Sequence, residues 1–173
     1  MLNGSPIYDS DVELIANALR SNSTLTDLNI ADNSTNTNTG FECFRRVLCD
    51  ISSLNAVADS NHICAIDAGD DDHLGWFYAC NKFSTKYINR GRKIYHLLSL
   101  RNKTMSNSKH FGEIDVKILP EMLEAVQQYR SASLIADYFK VNPLSIVYEV
   151  MRRWDKVTPL YKTLGKSVGN DAG

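Results

Sequence analysis

The chain has 173 residues, 43% of them hydrophobic and 23% charged, which is enough apolar material for a continuous core and too much for disorder throughout. A formal net charge of −1 and a pI near 6.4 exclude capture of nucleic acid or an anionic membrane by bulk charge. The N-terminus has no basic segment leading into an apolar one, and no stretch approaches the roughly 20 apolar residues of a membrane span, so a soluble cytoplasmic protein is expected.

The first element is an amphipathic helix. Val12, Leu14, Ile15, Ala18 and Leu19 recur at helical spacing behind a capping candidate at Ser10 or Asp11, with Glu13 in the first turn. After Ser21-Asn22-Ser23 the pattern becomes Leu25-x-x-Leu28-x-Ile30-x-x-Asn33. Leu28 and Ile30 alternate there with Asp27 and Asn29, the mark of a short strand with one buried face.

These two elements carry a likeness to a family. The run Leu14-Ile15-Ala16-x-Ala18-Leu19-x-x-Asn22-x-x-Leu25-x-x-Leu28-x-Ile30-x-x-Asn33 resembles a leucine-rich repeat of the ribonuclease-inhibitor type. The resemblance implies a right-handed α/β solenoid, in which no single repeat closes its own core and each must stack on a neighbour. It also implies that Asn33 turns its amide inward to satisfy backbone groups where the strand bends away. The outward strand residues Thr26, Asp27 and Asn29 become the candidate binding face, because they vary without disturbing the core.

A second, worn unit follows the polar run from Asn33 to Thr39, which reads as a loop. Gly40 to Cys49 repeats the helical pattern through Phe41, Phe44, Val47 and Leu48, and the step from Leu48 to Leu54 equals that from Leu19 to Leu25. This register fails at Asp59, which falls where Ile30 stood. Aligning Ser60-Asn61-His62 with Ser21-Asn22-Ser23 restores the loop, makes Cys64 the counterpart of Leu25 and requires an insertion across residues 51–59. Asp67, Asp70, Asp71, Asp72 and His73 invite a metal reading, but they lack the acid-x-acid-x-acid-Gly order of a calcium loop and read as a solvated loop. The four cysteines, Cys43, Cys49, Cys64 and Cys80, have no metal-site spacing, so reduced, packed thiols are expected.

From Thr85 onward the pattern is helical. Tyr87, Ile88, Ile94, Tyr95, Leu97 and Leu98 form one stripe, and Lys86, Arg90, Arg92 and Lys93 occupy the other face. Pro120 opens a helix to Tyr129 with Met122, Leu123, Ala125 and Val126 apolar, and Ser133 can cap a short helix to Phe139. Asn142-Pro143 begins another helix to Trp154, with Leu144, Val147, Tyr148 and Met151 on one face. This half, from the Ile88–Ile94 run to Trp154, looks like the closing region of leucine-rich-repeat proteins in expanded families of unicellular algae.

The expected architecture is therefore a short leucine-rich-repeat α/β solenoid over residues 1–80, with a clear repeat at 11–39 and a worn one at 40–75. An all-helical C-terminal cap over 81–173 completes one folding unit. No phosphate-loop, nucleophile-elbow or zinc-helix motif occurs, and His62, His73, His96 and His110 are scattered singly. The expectation is a non-enzymatic protein-binding or structural module that needs no cofactor or metal. The alternative is a nucleic-acid-associated protein using the basic residues at Lys86 to Lys93 and Arg152 to Lys156.

Overall fold

The computed structural model describes residues 4, 6–31, 33, 38–67, 81–82, 85–102, 115–129 and 143–152. Their elements in chain order are α1 (Asp9–Ser21), β1 (Asp27–Asn29), α2 (Asn38–Leu48), α3 (Leu54–Ala58), β2 (Ala65–Asp67), α4 (Lys86–Asn102), a 3₁₀ turn (Val116–Ile118), α5 (Leu119–Tyr129) and α6 (Pro143–Arg152). Contacts group the chain into two compact units, 1–93 and 94–173, with the division inside α4.

The first unit begins with α1, whose start is fixed by its own sequence. Tyr8 is the cap residue, and its backbone N–H donates to the carboxylate of Asp11 at 3.0 Å. Asp11 therefore serves from the first turn instead of standing before the helix. Val12, Ala16 and Leu19 form its buried stripe, while Leu14, expected inside, is 69% exposed. α1 packs on α2, which buries Phe44, Val47 and Leu48. Gly40 stands at their close approach, where a Cβ would lie 2.6 Å from the Asp9 carboxylate and 3.4 Å from Val12. Ile7, Ile30, Cys64 and Ile66 complete the core, with Ile15, Leu28 and Cys43 partly buried against it.

β1 and β2 pair in parallel, with Asp27, Leu28 and Asn29 opposite Ala65, Ile66 and Asp67. This pair is the whole sheet among the described residues, and it overturns the expected α/β solenoid: the molecule is mostly helical. The physical reason lies between the strands. Ser53 accepts the Ala56 N–H on its hydroxyl at 2.9 Å, so Leu54, the counterpart of Leu25 in the 29-residue register, opens helix α3. The chain returns to the sheet only after Ser60-Asn61-His62, and both strands are three residues long. Two helices of unequal length between two short strands leave no constant repeat to propagate. Leu25 departs with it: it is 39% exposed and no core position.

In the second unit, α4 continues with Ile94, Tyr95, Leu97 and Leu98 buried. α5 starts at Leu119, which makes Pro120 its second residue, a place where a missing N–H costs nothing. It buries Met122, Ala125 and Val126. α6 starts at Pro143 and buries Ile146, whereas Leu144 and Tyr148, expected on the apolar face, are 60% and 64% exposed. Asn102 donates to the Ser145 hydroxyl at 2.9 Å. The expected helix from Ser133 to Phe139 lies outside the described residues.

Candidate functional site

The sequence placed a binding face on Thr26, Asp27 and Asn29, at and just before β1, and these three residues are found in two situations. Thr26 and Asp27 are exposed. Asn29 is half-buried, and its side-chain oxygen accepts the Ala31 N–H at 3.0 Å, so it shapes the turn that leaves the strand. Asn33 completes that turn by donating to the carbonyls of Ile30 at 2.6 Å and Ala31 at 3.2 Å, as the resemblance implied.

Behind this face lies a buried polar ladder. Asn22 begins it, accepting the Thr24 and Leu25 N–H groups on its side-chain oxygen at 3.0 and 2.7 Å. Asn61 repeats that turn with Ile63 and Cys64 at 2.9 and 2.8 Å, and its amide donates back to the carbonyls of Leu19 and Asn22. Asn81 then donates to the carbonyls of Asn61 and Cys64, and Asn89 to those of His62 and Asn81. Lys93 ends the series. Although it was expected on a solvated basic face, it is fully buried, and its Nζ donates to the carbonyls of Leu48 at 2.5 Å and Asn61 at 2.7 Å. Leu48 is the last residue of α2, whose carbonyl end attracts a cation.

His62 is packed beside this ladder, 2% exposed, with Nε2 donating to the Ala58 carbonyl at 3.0 Å. Burial, then the charge of Lys93, pushes its pKa down to about 3, against the pull of the Ala58 bond; Arg90 and Lys86 push the same way. A depressed histidine pKa means that the unfolded chain takes up a proton that the folded one refuses. The stability this confers is complete above pH ~6.5 and is lost progressively as pH falls toward about 3, at up to about 1.4 kcal/mol per pH unit. The variant His62→Gln should flatten the fall between pH ~6.5 and ~4.5, above the main carboxylate range. Urea midpoints of the parent and variant that decline in parallel across that window would refute the assignment.

Two surface clefts flank these features. One, of about 370 Å³, is lined by Glu42, Arg45, Arg46, Cys49, Asp50, Ile51 and Ser52. Three of its four charges pair within α2: Arg45 hydrogen-bonds Glu42 through two nitrogens, and Arg46 reaches the same carboxylate at 3.4 Å. Those bonds, Arg45 first, hold Glu42 below the usual carboxylate range. Burial pushes the Cys49 thiol up to about 11, so at neutral pH it is held as the packed thiol. The other cleft, about 300 Å³, lies between the end of α1, the loop after α3 and the start of α4.

Among the described residues no group of three or more His, Cys, Asp or Glu side chains is placed to hold a metal ion. Of the acidic run considered for metal, only Asp67 is described, and Asp70, Asp71, Asp72 and His73 lie outside the described residues. Of the second basic segment, Arg152 is exposed at the end of α6 and residues 153–156 are likewise outside. No described helix is long and apolar enough to cross a membrane.

The ladder was partly legible, because Ser60-Asn61-His62 was set against Ser21-Asn22-Ser23. Asn81, Asn89 and Lys93 were not, since nothing in their local pattern marks them as buried. Comparison with family models, with curated proteins and with solved structures finds no match to this chain.

Proposed function

We propose that residues 1–93 form a non-catalytic protein-binding module whose partner docks at the start of β1. The observation that supports this reading is the succession Leu25, Thr26 and Asp27, all exposed. Leu25 and Thr26 lead into the strand and Asp27 opens it, so the entry to β1 is an uncovered stretch of three consecutive residues. Its opposite edge is held by β2, and the turn at each end is fixed by Asn22 and Asn29. A rigid strand end that presents one apolar and two polar side chains suits a small, wet, transient interface.

A photo-crosslinking residue placed at Thr26 or Asp27 of the full chain should capture one discrete protein in cells. The variant Thr26→Ala/Asp27→Ala should weaken that partner's affinity about tenfold or more with an unchanged melting curve, because exposed residues contribute little to folding. Asn29 is left intact because its loss would also undo the turn. Equal crosslinking from Glu124, exposed on α5, or full affinity in the double variant would place the interface elsewhere.

A further inference from the structure

β1 is bonded to another strand along one edge. Two printed ends of that ladder show which backbone groups it uses: the Ala65 N–H donates to the Thr26 carbonyl and the Ile30 N–H to the Asp67 carbonyl, each at 2.7 Å. With Asp27 opposite Ala65 and Asn29 opposite Asp67, a parallel ladder takes the groups of alternate residues, so the Thr26 carbonyl, Leu28 and the Ile30 N–H turn toward β2. Asp27 and Asn29 therefore aim their N–H and C=O groups the other way. Among the described residues those groups meet no hydrogen-bond partner. The stretch is closed at both ends, because the Leu25 N–H donates to Asn22 at 2.7 Å, the Ala31 N–H donates to Asn29 at 3.0 Å, and the Ala31 carbonyl accepts from Gly4 at 3.3 Å.

An open edge is a template for another strand, and folded proteins usually pair it, cover it or blunt it. This one stays open where the surface around it is also uncovered, since Leu25, Thr26 and Asp27 are exposed. The side chains sort by the same alternation. Leu28 and Ile30 turn to the core, so Asp27 and Asn29 stand on the other face. The one charge on the strand is the exposed carboxylate of Asp27. An extended backbone supplies donors and acceptors at the repeat this edge presents, and a cation opposite Asp27 completes the match.

From this juxtaposition we infer that the partner adds to the free edge of β1 as an antiparallel strand, through an extended segment in which an apolar residue immediately precedes a lysine or arginine. The basic residue lies opposite Asp27 and exchanges both backbone bonds with it. The apolar residue lies opposite Leu28, in the non-hydrogen-bonded pair where side chains approach most closely, and the residue before it exchanges bonds with Asn29. Antiparallel pairing is the more stable ladder per residue, and it sets Asp27 against a single cation. The inference rests on the docking reading above and adds to it the conformation and charge of the partner. So short an edge suits the weak, transient binding already expected there.

The test is titration of the full chain with a capped peptide of alternating valine and arginine, followed by amide hydrogen exchange at single residues. At about 1 mM peptide the Asp27 and Asn29 amides should slow about threefold or more, while those of Leu28 and Ile30, already bonded to β2, should not change. The parent should bind this peptide about tenfold more tightly than one of alternating valine and glutamate, and Asp27→Lys should reverse the order. N-methylation of the arginines, whose N–H groups face β1, should abolish binding, and N-methylation of the valines should leave it. Equal binding of the two N-methylated peptides, or no slowing at Asp27 and Asn29, would overturn strand addition. So would slowing of those amides with protein concentration in the absence of peptide, which would make a second copy the occupant. Asp27→Pro removes an edge N–H and leaves the ladder to β2 in place. If that variant folds and a crosslinker at Thr26 still captures the cellular partner undiminished, strand addition fails and the docking reading stands. The expected peptide pattern with no protein captured at Thr26 would support the edge chemistry and count against the docking reading alone.

Discussion

Replacing Asn61 with alanine should lower the stability of the first unit by about 3 kcal/mol or more, seen as a fall of roughly 10 °C or more in melting temperature. The side chain is 5% exposed and forms four hydrogen bonds, all to backbone groups. Two of those bonds reach across 42 and 39 residues to Leu19 and Asn22. Alanine keeps none of them, and it leaves the carbonyls and N–H groups around this buried position without the partner that satisfied them. Asn22 supplies the control, since it accepts two equivalent bonds in an exposed turn. Asn22→Ala should cost about 1 kcal/mol, because water takes over where the amide leaves. Equal losses in the two variants, measured by urea unfolding, would show that the burial of Asn61 contributes nothing beyond its turn.

The variant Ile30→Asp should unfold the first unit or destabilise it by about 4 kcal/mol or more. Ile30 is 1% exposed at the end of β1, in the core that includes Phe44, Cys64 and Ile66. A carboxylate there has no cation to meet in that cluster. Leu25→Asp should change stability by no more than about 0.5 kcal/mol, since Leu25 is 39% exposed. Leu28→Asp should fall between them, because Leu28 is only partly buried against the core. Circular-dichroism melts of the three variants give the order directly. A loss at Leu25 as large as that at Ile30 would mean that the strand end is covered in solution, and would count against the docking face as well.

The contrast between Leu25 and Ile30 shows what the sequence could and could not convey. Local elements were legible: the α1 stripe of Val12 and Leu19, the α2 stripe of Phe44, Val47 and Leu48, the helix start at Pro143 and, one residue early, that at Leu119 follow from periodicity and capping. The inward turn of Asn33 was legible through the family likeness. The solenoid was not a sound extension of these. A single repeat fixes the residues that would meet a neighbour, but nothing within it decides whether a neighbour is present, and the next segment preferred helix α3 once Ser53 capped it. Leu14 and Leu25, which a stacked repeat would have buried, are exposed for that reason.

Lys93 failed for a different cause. Amphipathic patterning treats every lysine as solvated, and of the four cations on that face Lys86 is exposed and Arg90 and Arg92 are half-buried. The fourth is held by carbonyls supplied from Leu48 and Asn61, 45 and 32 residues earlier. No window along the chain contains both the cation and its acceptors. The cleft was half legible in the same sense. Lys86 and Arg90 stood out as a basic segment, while Arg20 and His62 come to them only through the fold.

The ladder of asparagines has a consequence for the order of folding. Its bonds join Asn61 to Leu19, Asn89 to His62, and Lys93 to Leu48, across 42, 27 and 45 residues. Loops of that length are closed at an entropic cost that local helix formation does not repay, so α1, α2 and α4 must already be in position before the amides find their carbonyls. The ladder is thus a latch set late, contributing little to the folding transition state and much to the barrier against opening. Once closed, it ties the end of α1, the end of α2 and the first turns of α4 to the one loop around Asn61, so that loop governs how long the first unit stays shut.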